Sequence, residues 1–265
     1  MTANRNAKVE SRGWPTRATD HRTAFDPRSP IAFTLVELLV VLAVVAILSA
    51  LLLPTLTQGK IKTRTVKCAS HLRQLGLAAQ MYWDENEDIS FRYVSGFTNN
   101  GAVYWFGWIE NGSEGTRDFD ATQGALYPYL QGRGVDLCPA LDYALAQFKL
   151  KACGAAFGYG YNRHLSGLSL NRVSRSSDTV LLADAAQVND FQPPASPTNP
   201  MLEEFYYVTA NPSDLPTAHF RHQQKANVLF CDGHVCREPP LPGSIDPRLP
   251  AQWVGRLPPE FLRVP

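Results

Sequence analysis

The feature that most constrains the fold is the segment from Phe33 to Pro54, which is apolar almost throughout and carries one charged residue, Glu37. As an α-helix this segment would be about 33 Å long, which is enough to cross a bilayer core of about 30 Å. Small residues such as Ala43 and Ala46 would let other helices approach it closely. The segment therefore predicts a membrane-spanning helix near the start of the chain.

The helical pattern continues beyond Pro54. Apolar residues recur at alternating steps of four and three, which is the stripe of an amphipathic helix; they are Cys68, Leu72, Leu75, Ala79 and Tyr82. The pattern predicts one long helix over about residues 33–83, bent near Pro54. Its first half would lie in lipid and its second half would pack on a soluble domain.

Beyond this helix, short runs of aliphatic and aromatic residues bounded by Gly, Asn, Asp or Pro are typical of strands. The predicted strands are residues 103–109, 179–185, 204–210 and 226–235. Residues 124–130 favour a short helical turn, and Asp232-Gly233 predicts a two-residue type I′ hairpin turn. The expected fold class is α+β, with a long N-terminal helix, membrane-spanning in its first half, packed on a small antiparallel β-sheet domain.

Composition narrows the function classes. The formal net charge of +1 predicts no broad basic surface, so nucleic acid is not an expected partner. The five cysteines are an odd number, and the sequence leaves their pairing open. No G-x-S-x-G, H-E-x-x-H or phosphate-binding glycine loop occurs. The chain is therefore not expected to be an enzyme, and no catalytic residue or cofactor is assigned.

The N-terminal segment resembles type IV prepilins, the class that includes pilins and the pseudopilins of type II secretion. The resemblance rests on Phe33-Thr34-Leu35-Val36-Glu37, on the basic segment upstream and on Pro54. It implies that a membrane-embedded prepilin peptidase cleaves between Ala32 and Phe33 and methylates the new amino terminus. Ala32 stands where the family usually has glycine.

The resemblance also gives Glu37 a role. A carboxylate near the bilayer centre costs about 2.5 kcal/mol or more, so it tends to persist only with a partner or a function. In an assembling filament the α-amino group of Phe33 in one subunit would pair with Glu37 of its neighbour and fix the axial register. The resemblance thus implies assembly roles for Glu37 and Pro54. The alternative is an ordinary signal anchor whose Glu37 sits at the membrane interface.

A second resemblance lies near the other end of the chain. His222, followed after nine residues by Asp232-Gly233, is similar to the H-X9-DG segment of a large family of prepilin-like proteins. Other stretches resemble the same family, namely residues 67–88, 126–140, 159–167 and 176–185. His222 would then hydrogen-bond the hairpin backbone, while Asp232 starts the turn.

These observations divide the chain into a cytoplasmic leader (1–32), a transmembrane and cleavage segment (33–56), a periplasmic pilin-like domain (57–237) and a Pro-rich C-terminal tail (238–265). The tail is expected to wrap the surface or to stay mobile. The resemblance implies a pseudopilin or minor pilin of a type II secretion pseudopilus or a type IV pilus-like filament, anchored in the bacterial inner membrane. The implied partners are the prepilin peptidase, like or related subunits and the membrane.

Two rival functions stay open: a signal-anchored periplasmic binding module and an anchored hydrolase that uses His222. The binding module could hold a metal, because five potential zinc ligands lie within 18 residues; they are His219, His222, Cys231, His234 and Cys236. With a two-residue turn, Cys231, His234 and Cys236 would share one face of the hairpin. A diagonal disulfide between Cys231 and Cys236 is the competing arrangement, and no metal is assigned.

Residues 103–109 allow two interpretations of their aromatic side chains. Tyr104, Trp105, Phe106 and Trp108 could form an exposed platform for a glycan or a partner. Aromatic residues at alternating positions are more often the buried face of a strand, so we expect them in the core.

Overall fold

The computed structural model describes residues 33–98, 100–143, 145–154, 157–191 and 194–264. It divides into two compact units, one ending at Leu51 and one beginning at Leu52. Helix α1, Leu35–Glu85, contributes residues to both units. The predicted leader, including Ala32, lies outside the described residues.

In the first unit, α1 presents its apolar side chains to the surroundings. Every residue from Leu35 to Leu51 is exposed. Among the described helices, α1 alone is long and apolar enough to cross a membrane. The predicted long helix is confirmed, and it continues through Pro54 without interruption.

The second unit adds strands and a short helix to the remainder of α1. The strands are β1 (Val94–Thr98), β2 (Gly101–Tyr104), β3 (Gly107–Glu110), β4 (Phe119–Asp120), β5 (Phe148–Lys149), β6 (Tyr159–Asn162), β7 (Val180–Asp184), β8 (Gln187–Val188), β9 (Leu202–Glu203), β10 (Tyr207–Val208), β11 (Ala218–His219), β12 (Ala226–Phe230), β13 (Val235–Glu238) and β14 (Val254–Gly255). Helix α2 is Pro259–Leu262. The predicted helical turn is a 3₁₀ helix at Tyr127–Leu130.

Four sheets form from these strands. Their orders are β1-β2-β3-β4, β10-β6-β7-β12-β13, β5-β9-β8 and β11-β14. The strand pairs are antiparallel except β6 with β10 and β5 with β9, which are parallel. The predicted α+β class, with a long helix packed on mostly antiparallel sheets, is confirmed.

The five-stranded sheet is covered on both faces. On one face, the buried stripe of α1 shares a core cluster with Leu182 and Leu229; that stripe comprises Cys68, Leu72, Leu75, Ala79 and Trp83. On the other face, Val228 and Phe230 pack with Leu257 and Leu262. All five residues of β12 are buried for this reason.

Gly76 marks a close approach between α1 and the sheet. A Cβ atom at Gly76 would lie 3.0 Å from Cδ1 of Leu229, which is tighter than ordinary van der Waals contact. Glycine lets the helix backbone come close to β12, at the cost of a less favourable helix residue. This contact sets the depth at which the helix sits on the sheet.

The Pro-rich C-terminal segment belongs to the folded core. Strand β14 pairs with β11, and Leu249 and Leu262 are buried. The amide of Asn162 donates a hydrogen bond to the carbonyl of Leu262 over 3.0 Å. Strand pairing, these buried side chains and this hydrogen bond therefore hold the described part of the segment against the second unit.

Residues 103–109 form a tight hairpin instead of the single predicted strand. Strand β2 ends at Tyr104, β3 begins at Gly107, and these two residues pair. Trp105 and Phe106, which form the turn, are both buried in the core cluster that contains the α1 stripe, Leu182 and Leu229, called the main core below. Adjacent residues of one strand point to opposite faces, so a turn is needed for both rings to enter the same core. The core interpretation is confirmed for these two residues.

Candidate functional site

The first candidate site is the start of α1. Phe33 is 71% exposed. The carboxylate of Glu37 accepts hydrogen bonds from the Thr34 backbone N–H at 2.9 Å and from the Thr34 hydroxyl at 2.7 Å. In return, the Thr34 hydroxyl accepts from the Glu37 N–H at 3.2 Å. This reciprocal pair is a capping box, which satisfies backbone donors at the helix start.

The candidate Cys/His metal ligands considered in the sequence analysis depended on a two-residue turn between β12 and β13, and the observed turn is longer. The loop contains three residues, because the N–H of Phe230 donates to the carbonyl of His234. Gly233 has a φ of +90°, whereas Asp232 is not in the positive-φ region. A type I′ turn needs positive φ at both central residues, so the two-residue prediction is wrong. Val228 therefore pairs with Cys236 and Leu229 with Val235.

The five predicted ligands consequently do not converge. His219 is buried in β11 opposite Val254. The His234 ring lies 2.6 Å from the Asp232 carboxylate within the turn, and the Cys236 thiol donates to Glu238. Cys231 is buried in the main core. None of the five cysteines forms a disulfide, so the diagonal bridge is absent as well.

A different group of four side chains meets inside the second unit. Each of these residues, Cys68, Cys138, Asp184 and His222, offers one potential ligand atom, and these atoms all lie within 4.8 Å of one another. The exposed fraction is 0% for the first three residues and 1% for His222. Of the predicted ligands, only His222 belongs to this group, which is the one such buried group of Cys, His and carboxylate residues among the described residues.

Four separate elements position these side chains. Cys68 lies on the buried stripe of α1, and Asp184 is the last residue of β7. Cys138 lies in the loop between the 3₁₀ helix at Tyr127–Leu130 and β5. His222 lies in the turn between β11 and β12. The cluster therefore forms where α1 crosses the end of the five-stranded sheet.

The contacts within the cluster are short. The Cys68 thiol donates to Asp184 Oδ1 at 3.2 Å. His222 Nε2 lies 3.4 Å from Cys138 Sγ and 3.2 Å from Asp184 Oδ2. The Tyr159 hydroxyl lies 3.4 Å from Cys68 Sγ. Each of the four groups thus touches another member of the cluster.

Thr65 fixes the orientation of the His222 ring. The Thr65 hydroxyl donates its single hydrogen to the carbonyl of Ile61 at 3.0 Å. It therefore accepts from His222 Nδ1, which lies 3.1 Å away. Nδ1 carries a proton in this arrangement, and Nε2 is the nitrogen that faces Cys138 and Asp184.

Asp184 is held from two further directions. Its Oδ2 accepts the N–H of Asn227 at 2.7 Å, and its Oδ1 lies 3.5 Å from Nε of the buried Arg221. Burial by itself raises the pKa of Asp184, but the charge of Arg221 and the contact with His222 outweigh burial and lower the pKa. The carboxylate is therefore ionised in the folded protein.

The same surroundings shift the pKa values of the Cys68 and Cys138 thiols and of the His222 imidazole. Burial raises the pKa of Cys68, and its contacts with Cys138 and Asp184 raise it further. Burial and the charge of Asp184 raise the pKa of Cys138, but its contacts with Cys68 and His222 and the charge of Arg221 outweigh them and bring the pKa to about 6. Burial alone lowers the pKa of His222, but its hydrogen bonds with Asp184 and Cys138 and the charges of these groups outweigh burial and raise the pKa to about 9. The cluster thus places a carboxylate with a lowered pKa beside an imidazole with a raised pKa, and two buried thiols contact them.

The arrangement does not have the geometry of a nucleophilic triad. In such a triad one imidazole nitrogen faces the nucleophile and the other faces the carboxylate. Here Nε2 of His222 faces both Cys138 and Asp184, and Nδ1 faces Thr65. Cys138 is also inaccessible to a substrate. The residues are instead suited to holding a cation or a fixed network of protons.

Sequence reasoning missed three of the four cluster residues. Cys68, Cys138 and Asp184 lie far apart in the chain, so no local spacing connects them to His222. One local signal was available, because Asp184 is a charged residue at the end of an otherwise apolar strand. Such a residue is seldom fully buried unless it has a partner.

Comparisons of the whole chain with protein-family models, with curated proteins and with solved structures give no match.

Proposed function

We propose that the chain is a prepilin-like structural subunit, a pseudopilin or minor pilin of a type II secretion pseudopilus or type IV pilus-like filament. A prepilin peptidase cleaves it between Ala32 and Phe33 and methylates the new amino terminus. The leader lies in the cytoplasm, and the domain beyond α1's apolar segment lies in the periplasm. The subunit is held in the inner membrane before it assembles with like or related subunits.

The observation that carries this proposal is the continuous exposure of the apolar segment Leu35–Leu51. A surface this apolar requires lipid or other apolar helices as its surroundings. A filament core built from packed helices would supply the second of these. The same segment then serves first as a membrane anchor and later as an assembly surface.

A substitution at Glu37 can test the proposal, because this residue has a capping role within one chain and a proposed assembly role between subunits. The capping box gives its carboxylate a local function within one chain. The assembly role requires a negative charge that pairs with the α-amino group of Phe33 in a neighbouring subunit. Glutamine can replace glutamate in a capping box but carries no charge, so Glu37→Gln separates the two roles.

The first measurement is the mass of the N-terminal peptide from protein extracted from membranes. The expected result is an N-methylated peptide that begins at Phe33. An intact leader, or a mature end beyond Ser49, would contradict the proposal.

The second measurement compares Glu37→Gln with the unmodified protein in membranes and in sheared filaments. We expect normal insertion and cleavage but little or no incorporation into filaments. The matched control is Asp84→Asn, which removes one exposed negative charge at the other end of α1 and is expected to assemble normally. Normal incorporation of Glu37→Gln would show that the capping box is the whole role of Glu37.

A further inference from the structure

We propose that Cys68, Cys138, Asp184 and His222 bind one zinc ion in a closed, structural site within the second unit. This inference goes beyond the proposed filament role and is independent of it. The site would join α1 to the end of β7 and to two loops. No local sequence motif predicts this site, because its ligands come from four separate elements.

The ligand types favour zinc. Thiolate, imidazole and carboxylate are the three protein groups that zinc binds; two cysteines with one histidine hold zinc where water takes the fourth position, and here Asp184 would take that position. Calcium and magnesium prefer sites composed wholly of oxygen ligands, whereas this cluster sets one carboxylate beside two sulfur atoms and one nitrogen atom. Four protein ligands complete a tetrahedral shell and leave no position for water or substrate.

The distances between ligand atoms fit a tetrahedron around one ion. Bonds of about 2.0 to 2.3 Å place tetrahedral ligand atoms about 3.3 to 3.8 Å apart. The separations are 3.4 Å from His222 Nε2 to Cys138 Sγ, 3.2 Å from Cys68 Sγ to Asp184 Oδ1 and 3.2 Å from His222 Nε2 to Asp184 Oδ2. The last two distances involve different oxygens of the Asp184 carboxylate, only one of which would bind the ion. The longest separation is at most 4.8 Å, so shifts of a few tenths of an ångström to about 1 Å close the shell.

The charges around the cluster balance when zinc is bound. Two thiolates and one carboxylate carry three negative charges, and the zinc ion carries two positive charges. Arg221 supplies the remaining positive charge, since its Nε lies 3.5 Å from Asp184 and its side chain is 3% exposed. A buried site of zero net charge avoids the penalty of an unpaired charge in the interior.

The surrounding hydrogen bonds already orient the ligands. Thr65 accepts from His222 Nδ1, which leaves Nε2 as the nitrogen available to a metal. The N–H of Asn227 holds the Asp184 carboxylate at 2.7 Å, and the Tyr159 hydroxyl contacts Cys68. Metal-binding histidines and carboxylates are usually fixed in this way by a partner on their far side.

A disulfide between Cys68 and Cys138 is the competing chemistry, because the two thiols belong to the same cluster. A disulfide would use two of the four groups and would offer no hydrogen to the buried Asp184. It would also leave Asp184 Oδ2, 3.2 Å away, as the one strong acceptor in the cluster for His222 Nε2, because disulfide sulfur accepts hydrogen bonds only weakly. Zinc uses all four groups, and for this reason we infer a metal site.

The experiment uses the full-length protein purified in detergent, with zinc as the only metal added and excess zinc then removed. We expect about one zinc ion per chain by mass spectrometric metal analysis. Cys138→Ser and Asp184→Asn should each lower the bound zinc at least about tenfold, since each removes one ligand of the closed shell. The matched controls, Cys236→Ser and His234→Gln, change residues outside the cluster and should retain the zinc.

A second measurement does not depend on the folding of any variant. Cobalt replaces zinc in the unmodified protein, and its visible spectrum reports the ligands. Thiolate charge-transfer bands with the intense bands of a tetrahedral ion support the site. A non-tetrahedral spectrum without thiolate bands overturns it. The proposal is equally overturned by a Cys68–Cys138 disulfide in unreduced peptide maps, by the absence of zinc, or by zinc that both ligand variants retain.

Discussion

At the scale of single residues, Glu114 shows how a partly buried carboxylate is kept ionised. Its carboxylate lies 2.7 Å from Nζ of Lys149, 2.7 Å from Nζ of Lys151 and 3.2 Å from the Arg117 guanidinium. Lys151 also contacts Glu203 at 3.1 Å. Burial alone raises the pKa of Glu114, but the hydrogen bonds and charges of Lys149 and Lys151 outweigh burial and lower its pKa to about 2.

Replacing Glu114 by glutamine is therefore expected to destabilise the second unit by about 1 to 3 kcal/mol near pH 7, because charged hydrogen bonds are lost and cations lose their partner. A lowered carboxyl pKa stabilises the folded state above the ordinary value of 4.5, and this stabilisation disappears as the pH falls towards about 2. The difference between Glu114→Gln and the unmodified protein should shrink over that range. Urea unfolding followed by circular dichroism at several pH values measures it.

The control for this prediction is Asp178→Asn. Asp178 pairs with Arg175 at the surface, where the two side chains are 38% and 72% exposed. Loss of such a pair should change the free energy of unfolding by less than about 1 kcal/mol. Equal effects of the two substitutions, or a Glu114 effect that does not depend on pH, would contradict the account of Glu114.

At the scale of elements, the packing of α1 on the five-stranded sheet depends on the absence of a side chain at Gly76. Gly76→Val should destabilise the second unit by about 1 to 3 kcal/mol, because the added methyl groups meet Leu229 in a filled core. Valine is a better helix former than glycine, so a loss of stability at position 76 has to come from packing. The neighbouring Leu77 is exposed, so Leu77→Val places a valine in the same turn without that packing conflict and should cost less than about 0.7 kcal/mol. Chemical unfolding of both variants in the same detergent compares them, and similar costs would argue against tight packing at Gly76.

The elements also show which features the sequence could predict. Helix α1 was predicted because its apolar stripe repeats locally over many turns, so the pattern needs no tertiary information. The hairpin of β12 and β13 was predicted, but its register was wrong. Asp232-Gly233 fits two turn types, and a shift of one residue reverses the face on which each side chain lies. The predicted ligand face of Cys231, His234 and Cys236 failed for that reason.

The cluster itself could not be predicted from local patterns. His222 was singled out by its spacing from Asp232, yet its side chain contacts Thr65, Cys138 and Asp184. Only the packing of α1 on the sheet brings these residues together. Their sequence positions carry no spacing that resembles a zinc motif, since such motifs place pairs of ligands within a few residues of each other.

At the scale of the whole molecule, metal removal should weaken the second unit as a whole. If the cluster binds zinc only when folded, free zinc about 100-fold above its dissociation constant stabilises the protein by about 2.7 kcal/mol. A chelator should therefore lower the unfolding temperature of the unmodified protein in a thermal scan. The chelator should leave the unfolding temperature of Cys138→Ser unchanged, and an equal decrease in both proteins would indicate an effect unrelated to the cluster.

The contacts between α1 and the sheet have a further consequence for how a newly made chain folds. Thr65 and His222 are separated by 157 positions in the sequence, Cys68 and Asp184 by 116, and Asn162 and Leu262 by 100. Such a high contact order slows folding, because long loops must close before these contacts form. The buried stripe of α1 is synthesised early but gains its partners on the five-stranded sheet, Leu182 and Leu229, only when the last third of the chain is present. Until then a nascent chain exposes that stripe in addition to the apolar segment, and this is the period in which it most needs protection from aggregation.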